Sequence, residues 1–323
     1  MSDLWTWHGG AFDAAKRHFG ESEAGWIDLS TGINPAPWPG AGTLAIDWHR
    51  LPEPDALAGL EAAAATFFGV EARHVCAVPG TEIGLRLAGR LIGGDASHVA
   101  PGYRTHGAMF AGSAAIARDA APARGGALVV ANPNNPDGHI LDPHALRAAR
   151  APHDWLLVDE AFADAQPAIS VAPDISDDAR LIVFRSFGKY FGLAGVRLGF
   201  VVGPQRFLSE LRALLGAWPV SAAAIAIGTA AYRDRDWIDA ARRRLRTSAA
   251  TLDEVLQRHD LIPVGDCPLF RLVETPDART LFERLARAAI LTRPFADQPH
   301  WLRFGLPADV HALARLNAAL ADG

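Results

Sequence analysis

Short apolar runs alternate with helical segments through the middle of the chain. The runs lie at 74–78, 97–100, 127–131, 155–158, 181–184 and 198–202. None shows a regular polar face, and runs of this kind predict strands buried on both sides. Between them, 81–91 and 144–149 set Ala, Leu and Arg at helical spacing, and the alanine-rich stretches 60–66 and 222–231 predict further helix. The alternation predicts an α/β fold with a mostly parallel sheet. The last two runs are joined by a glycine-containing loop too rich in special residues for an ordinary crossover helix. From 204 to about 259 the spacing predicts one long helix. Beyond 261, strand-like pieces at 269–273 and 301–304 alternate with helical ones at 278–289 and 308–321, which predicts a smaller α+β domain. The first 40 residues, rich in Gly, Pro and Trp, read as an irregular arm. The expected organisation is therefore an arm over 1–40 that joins the small domain, a large domain over 41–205, and a linking helix with the small C-terminal domain over 206–323.

Composition narrows the classes. Half of the 323 residues are hydrophobic, enough for a sizeable core, and this excludes disorder. A net charge of −5 gives no reason to expect nucleic acid or an anionic membrane as partner. No stretch approaches the length of uncharged apolar residues needed to span a bilayer. The N-terminus lacks the basic start and apolar run of a secretory signal. Two cysteines, Cys76 and Cys267, make no disulfide framework, and a cytoplasmic location is expected. No His/Cys spacing suggests a metal site. Only Lys16 and Lys189 are lysines among 31 cationic residues, so each invites the question of what arginine could not do there.

The candidate chemistry sits where strands end, the place where open α/β sheets bind ligands. Run 74–78 leads to Pro79-Gly80-Thr81-Glu82 and a helix. Run 97–100 leads to Pro101-Gly102-Tyr103, and 127–131 to Asn132-Pro133-Asn134-Asn135-Pro136-Asp137-Gly138. Run 155–158 ends in Asp159-Glu160, and 181–184 in Arg185-Ser186-Phe187-Gly188-Lys189. Backbone N–H groups at Gly80 and Thr81 suit a phosphate. Ser186 and Arg197 add a hydroxyl and a bidentate cation. Tyr103 offers a face for an aromatic ring. A buried Asp159 stays ionised only beside a cation, such as a protonated ring nitrogen. Asn135 suits a ring oxygen. Lys189 can form a Schiff base with an aldehyde, which arginine cannot. Glu82 reads as a charge at a helix N-terminus. Phosphate, aromatic ring, ring nitrogen and aldehyde together describe pyridoxal 5'-phosphate.

These motifs resemble the fold-type-I, aspartate-aminotransferase-like family of pyridoxal-phosphate enzymes. The resemblance rests on Asn132–Gly138, Val158-Asp159-Glu160-Ala161-Phe162, and Ser186-Phe187-Gly188-Lys189 followed by Gly192-Leu193-Ala194-Gly195-Val196-Arg197-Leu198-Gly199. It implies a large domain with a seven-stranded type of sheet and a homodimer. It implies that Lys189 is the catalytic Schiff-base lysine and proton donor, that Asp159 pairs with the pyridinium nitrogen, and that Asn135 bonds the ring 3-oxygen. Tyr103 would stack on the ring. Gly80, Thr81, Ser186 and Arg197 would hold the cofactor phosphate, and Arg303 the α-carboxylate of the substrate.

Two local features refine the resemblance. The arm, with His8-Gly9-Gly10 and Asp28-Leu29-Ser30-Thr31-Gly32-Ile33-Asn34-Pro35, is similar to that of the threonine-phosphate decarboxylases of cobalamin biosynthesis. Phe162 stands where aminotransferases of the family commonly carry a tyrosine whose hydroxyl bonds the ring 3-oxygen. The implied reaction is decarboxylation of L-threonine O-3-phosphate to (R)-1-amino-2-propanol O-2-phosphate. Such a substrate has a second anion, for which Arg293 and His8 are candidates, with Gly32 and Asn34 as further substrate-binding positions. Histidinol-phosphate aminotransferase is the alternative, which Phe162 and the arm argue against. A non-catalytic relative of the same fold is a further one, opposed by the intact lysine, aspartate and phosphate cup.

Overall fold

The computed structural model describes residues 3–6, 9–120, 125–150 and 153–321. The chain forms two compact units, one of Met1–Ala36, Pro136–His139 and Arg242–Gly323, the other of Pro37–Asn135 and Ile140–Ala241. The divisions fall at 36/37 and 241/242, not at 40 and 205. Ala222–Arg233 packs along Pro54–Phe68, and Gln205–Leu215 along Thr81–Ile92, so both helices belong to the large unit.

The large unit is built on a seven-stranded sheet. Its strands are β1 (Val75–Val78), β2 (Ala96–Val99), β3 (Ser113–Ile116), β4 (Ala127–Ala131), β5 (Trp155–Asp159), β6 (Leu181–Ser186) and β7 (Gly199–Val202). The spatial order is β1-β7-β6-β5-β4-β2-β3. All pairings are parallel except those of β7, which runs antiparallel to both β1 and β6. Five of the strands, β1 and β4 to β7, are buried almost throughout, as their apolar runs predict. The special loop after β6 explains the reversal: it turns the chain back without a crossover helix, so β7 can only return antiparallel. Strand β3 escaped the sequence pattern because it is an exposed edge strand with little apolar signal. Strand β6 also runs two residues past its apolar run. It buries Arg185, which a sequence pattern assigns to a loop.

The expected long helix over 204–259 is three helices, Gln205–Leu215, Ala222–Arg233 and Arg235–Gln257. Gly216 and Trp218 take positive φ, Pro219 follows, and Ser221 caps the second helix by accepting from the Ala224 N–H at 3.1 Å.

The smaller unit contains an antiparallel sheet in the order Arg293–Pro294, Trp301–Gly305, Phe270–Glu274, Pro263–Val264. The arm is not irregular throughout: it contains a helix, Phe12–Phe19, and a short strand, Ile27–Asp28, parallel to Ile290–Leu291. Among the described residues, no helix is long and apolar enough to cross a membrane, and no cluster of three His, Cys, Asp or Glu side chains is arranged to hold a metal ion.

Candidate active site

The carboxyl ends of β1, β2, β4, β5 and β6 deliver their loops to one cleft in the large unit. All eight expected cofactor residues line it: Gly80, Thr81, Tyr103, Asn135, Asp159, Ser186, Lys189 and Arg197. Residues up to 117 positions apart in sequence meet there because parallel strands place successive carboxyl ends on one edge of the sheet.

One end of the cleft has the form of an anion cradle. Gly80 precedes the helix Thr81–Ile92 and takes φ 89, ψ 148, a conformation open almost only to glycine. A Cβ at this position would stand 2.6 Å from Nη2 of Arg197. Arg197 itself adopts a left-handed φ of 56, a strained choice for a non-glycine residue that aims its guanidinium across Gly80. Helix N–H groups, a hydroxyl at Ser186 and this guanidinium are a donor set suited to a phosphate dianion.

The other end carries a carboxylate and aromatic side chains. Asp159 closes β5, and its carboxylate is buried. Its Oδ1 accepts the Ala161 N–H at 3.1 Å, and its Oδ2 lies 2.9 Å from Nε2 of the buried His106. Sequence reasoning missed His106; its only signal is the Tyr-x-x-His spacing, which sets Tyr103 and His106 one turn apart. The two rings meet edge to face at 5.6 Å. Lys189 follows β6 on the short helix Phe187–Tyr190, with its Nζ 5.7 Å from the centre of the buried Phe162 ring. The surface beneath the lysine is thus apolar, where a tyrosine would set a hydroxyl.

Behind the cleft lies a buried ion network. Arg185 donates to Glu160 Oε2 at 2.8 Å and also binds Asp164, while Glu160 accepts from Ser170 Oγ at 2.5 Å and from the Val171 N–H at 2.7 Å. Burial pushes the Glu160 carboxyl up, against the pull of Arg185. Glu160 and Arg185 are the immediate neighbours of Asp159 and Ser186, so the network fixes the two strand ends that present those side chains.

The expected substrate residues fall in the smaller unit, except His8, which lies outside the described residues. Arg293 and Arg303 stand directly opposite one another in antiparallel register. Arg303 is buried, covers the Phe270 ring at 4.7 Å and donates to the Ser30 carbonyl at 3.1 Å. Arg293 lies over Phe295 at 4.9 Å. Burial, and then the charge of Arg293, pull the Arg303 guanidinium well below its ordinary range. Two facing cations in such a place favour an anion between them. The arm segment is fastened locally: Asp28 Oδ1 accepts both the N–H and the hydroxyl of Ser30, at 2.8 and 2.6 Å, and Ser30 Oγ accepts the Gly10 N–H at 2.8 Å. Gly305 donates to the Leu29 carbonyl, and a Cβ on it would meet the Thr31 carbonyl oxygen at 2.4 Å. Gly32 and Asn34 are buried on the same segment, and Asn34 Oδ1 accepts the Ala36 N–H at 3.0 Å.

Residues 113–318 match the aminotransferase class I and II family. The chain is 40% identical to a threonine-phosphate decarboxylase of Pseudomonas aeruginosa, over 97% of this chain and 96% of that protein. It is 41% identical to a threonine-phosphate decarboxylase of a Sinorhizobium species, over 97% of each. Its fold is similar to that of a histidinol-phosphate aminotransferase from Sinorhizobium meliloti solved in complex with pyridoxal-5'-phosphate. That likeness has a TM-score of 0.82 at 21% identity and covers 96% of this chain and 93% of the other.

Proposed function

The chain belongs to the aminotransferase class I and II family, and within it we propose that it decarboxylates L-threonine O-3-phosphate to (R)-1-amino-2-propanol O-2-phosphate. Its cofactor is pyridoxal 5'-phosphate. The observation that carries the proposal is the 40–41% identity, over 97% of the chain, to proteins named for that reaction. The apolar Phe162 beneath Lys189 supports it.

In this reading Gly80, Thr81, Ser186 and Arg197 hold the cofactor phosphate, and Tyr103 faces the ring. Asn135 bonds the ring 3-oxygen, and Asp159 keeps the ring nitrogen protonated. When bound, the cofactor supplies an electron sink that weakens whichever Cα bond stands perpendicular to its ring. The protein chooses that bond by where it anchors the substrate's anionic groups. Arg303 takes the α-carboxylate with Asn34 near it; Arg293 and His8 take the substrate phosphate, and Gly32 is a further substrate-binding position. Lys189 Nζ returns a proton to Cα once CO₂ has left. The reading includes a homodimer, as the family resemblance implies. It also includes a cytoplasmic location, supported by two buried cysteines that form no disulfide.

The test is product analysis. Threonine phosphate should yield CO₂ and the amino alcohol phosphate, and Lys189→Ala should abolish both. Histidinol phosphate with 2-oxoglutarate should yield no glutamate. Glutamate without CO₂ would replace this reading with the aminotransferase one.

A further inference from the structure

Glu82 reads from sequence as a charge at a helix N-terminus, yet its carboxylate lines the cleft and three side chains converge on it. Tyr103 Oη donates to its Oε2 at 2.9 Å, and Thr105 Oγ1 donates to the same oxygen at 2.8 Å. Arg86 Nε donates to Oε1 at 2.7 Å. The two oxygens thus divide the work: Oε1 is tied to Glu82's own helix, Thr81–Ile92, and Oε2 to the segment that bears the ring-facing tyrosine. That segment is short. Tyr103 caps the helix Arg104–Ala108, which is only five residues long and presents His106 to Asp159 one turn later. So brief a helix has little rigidity of its own. What fixes it is tertiary, and Glu82 contacts both its cap and its first turn.

We propose that Glu82 is a positioning residue that locks Tyr103, and through the helix Arg104–Ala108 the His106–Asp159 pair, onto the helix whose start cradles the cofactor phosphate. This rests on the reading of Tyr103 as the ring-facing residue. Glu82 gives one rigid span from the phosphate end of the cofactor to its ring nitrogen. Burial would raise the Glu82 carboxyl, but the bonds from Thr105, Arg86 and Tyr103 outweigh it and hold it below its ordinary value, with both oxygens free to accept. Burial and the nearby carboxylate in turn push the Tyr103 hydroxyl up to about 12, so it stays a donor.

The sign of the effect separates positioning from simple charge. A carboxylate next to a phosphate site repels the phosphate, so deleting it on charge grounds alone would tighten cofactor binding. Positioning requires the reverse. Cofactor affinity is measured by titrating the apoprotein with pyridoxal phosphate, together with the circular dichroism induced in the bound cofactor and the melting temperature. Glu82→Ala is expected to weaken binding about tenfold and to reduce the induced dichroism. Glu82→Gln should restore both to within about threefold of wild type, because one amide oxygen can still accept both hydroxyls. Tyr103→Phe should cost no more than Glu82→Ala, and the double variant no more than Glu82→Ala alone, since the Tyr103–Glu82 bond is already lost there. Binding by Glu82→Ala as tight as wild type, or tighter, overturns the proposal, and so do additive losses in the double variant. Should Glu82→Ala not fold, Tyr103→Phe/Thr105→Val leaves Glu82 in place without its two hydroxyl donors. It should show the same loss, and wild-type binding there overturns the proposal. Tyr103→Ala tests the underlying reading: wild-type affinity there removes the ring-facing role and this proposal with it. A loss in Tyr103→Ala but not in Glu82→Ala removes this proposal alone.

Discussion

Replacing Gly80 by alanine probes the phosphate cradle at its tightest point. Two effects follow from the geometry. The backbone at φ 89, ψ 148 is nearly closed to a residue with a Cβ, which costs about 1–3 kcal/mol wherever the substitution is forced on the fold. Spread over an unfolding entropy of roughly 2.1 cal/mol/K per residue, that is a drop of about 1.5–4.5 °C in the melting temperature of the apoprotein. The second effect is local. The new methyl would stand 2.6 Å from Arg197 Nη2 and 3.3 Å from its Cζ. The guanidinium is the far end of a flexible side chain and can swing away at little expense, but it then leaves the cradle. Losing one charge-assisted contact to phosphate is worth about 1.5–3 kcal/mol, or roughly ten- to a hundredfold in cofactor affinity. Titration of the apoprotein with pyridoxal phosphate, paired with a thermal melt, measures both. Cofactor binding within about threefold of wild type would refute the assignment of Arg197 to the phosphate, since the perturbation far exceeds that margin. An unchanged melting temperature would refute the backbone argument separately.

Other outcomes are open to direct measurement. His106→Phe removes the partner of a buried carboxylate oxygen and should destabilise the apoprotein by about 1–3 kcal/mol in urea unfolding; an unchanged midpoint would show that Asp159 does not depend on it. Phe162→Tyr restores a hydroxyl beneath Lys189 and should slow CO₂ release severalfold while amino transfer to a 2-oxo acid appears; an unaltered product ratio would remove Phe162 from the account of specificity. The half-buried Glu82 and the buried Glu160 should act oppositely on acid stability. The Glu82 carboxyl lies below its ordinary 4.5, because hydrogen bonds outweigh burial, so its stabilisation is present above that pH and lost as pH falls through the lowered folded value. Glu82→Gln should therefore flatten the acid limb of the stability curve. Burial raises the Glu160 carboxyl above 4.5, so its ionisation lowers stability as pH climbs from there towards the raised folded value, and Glu160→Gln should remove that decline. Denaturation midpoints of the apo forms across pH decide both.

The strand-end motifs were legible because each is local. A Pro-Gly-Thr before a helix, an Asp closing an apolar run and a lysine three residues after a serine are contiguous in the chain, and their chemistry follows from residue type. The order of apolar runs was enough to predict a mostly parallel sheet and to place those ends on one edge. The edge strand Ser113–Ile116 was not legible, since a strand half in water carries little apolar signal. The break between Gln205–Leu215 and Ala222–Arg233 was obscured by helix-forming residues on either side of Gly216 and Pro219.

What the sequence determined by itself was which groups the protein owns for chemistry. With arginine as nearly its only cation, one of its two lysines lies in the motif where a primary amine is required. What only the tertiary structure decided was who holds those groups still. Sequence suggested a ring nitrogen for Asp159, and the fold adds His106 against its Oδ2. Glu82 looked like a helix charge, and the fold makes it the acceptor for Tyr103 and Thr105. Arg185 looked like a loop residue, and the fold buries it against Glu160 and Asp164. Each of these partners lies 21 to 53 positions away in the chain. A hydrogen bond is a matter of a few ångströms and a direction, and across such separations neither is written in the order of the residues until the sheet has brought its strands together.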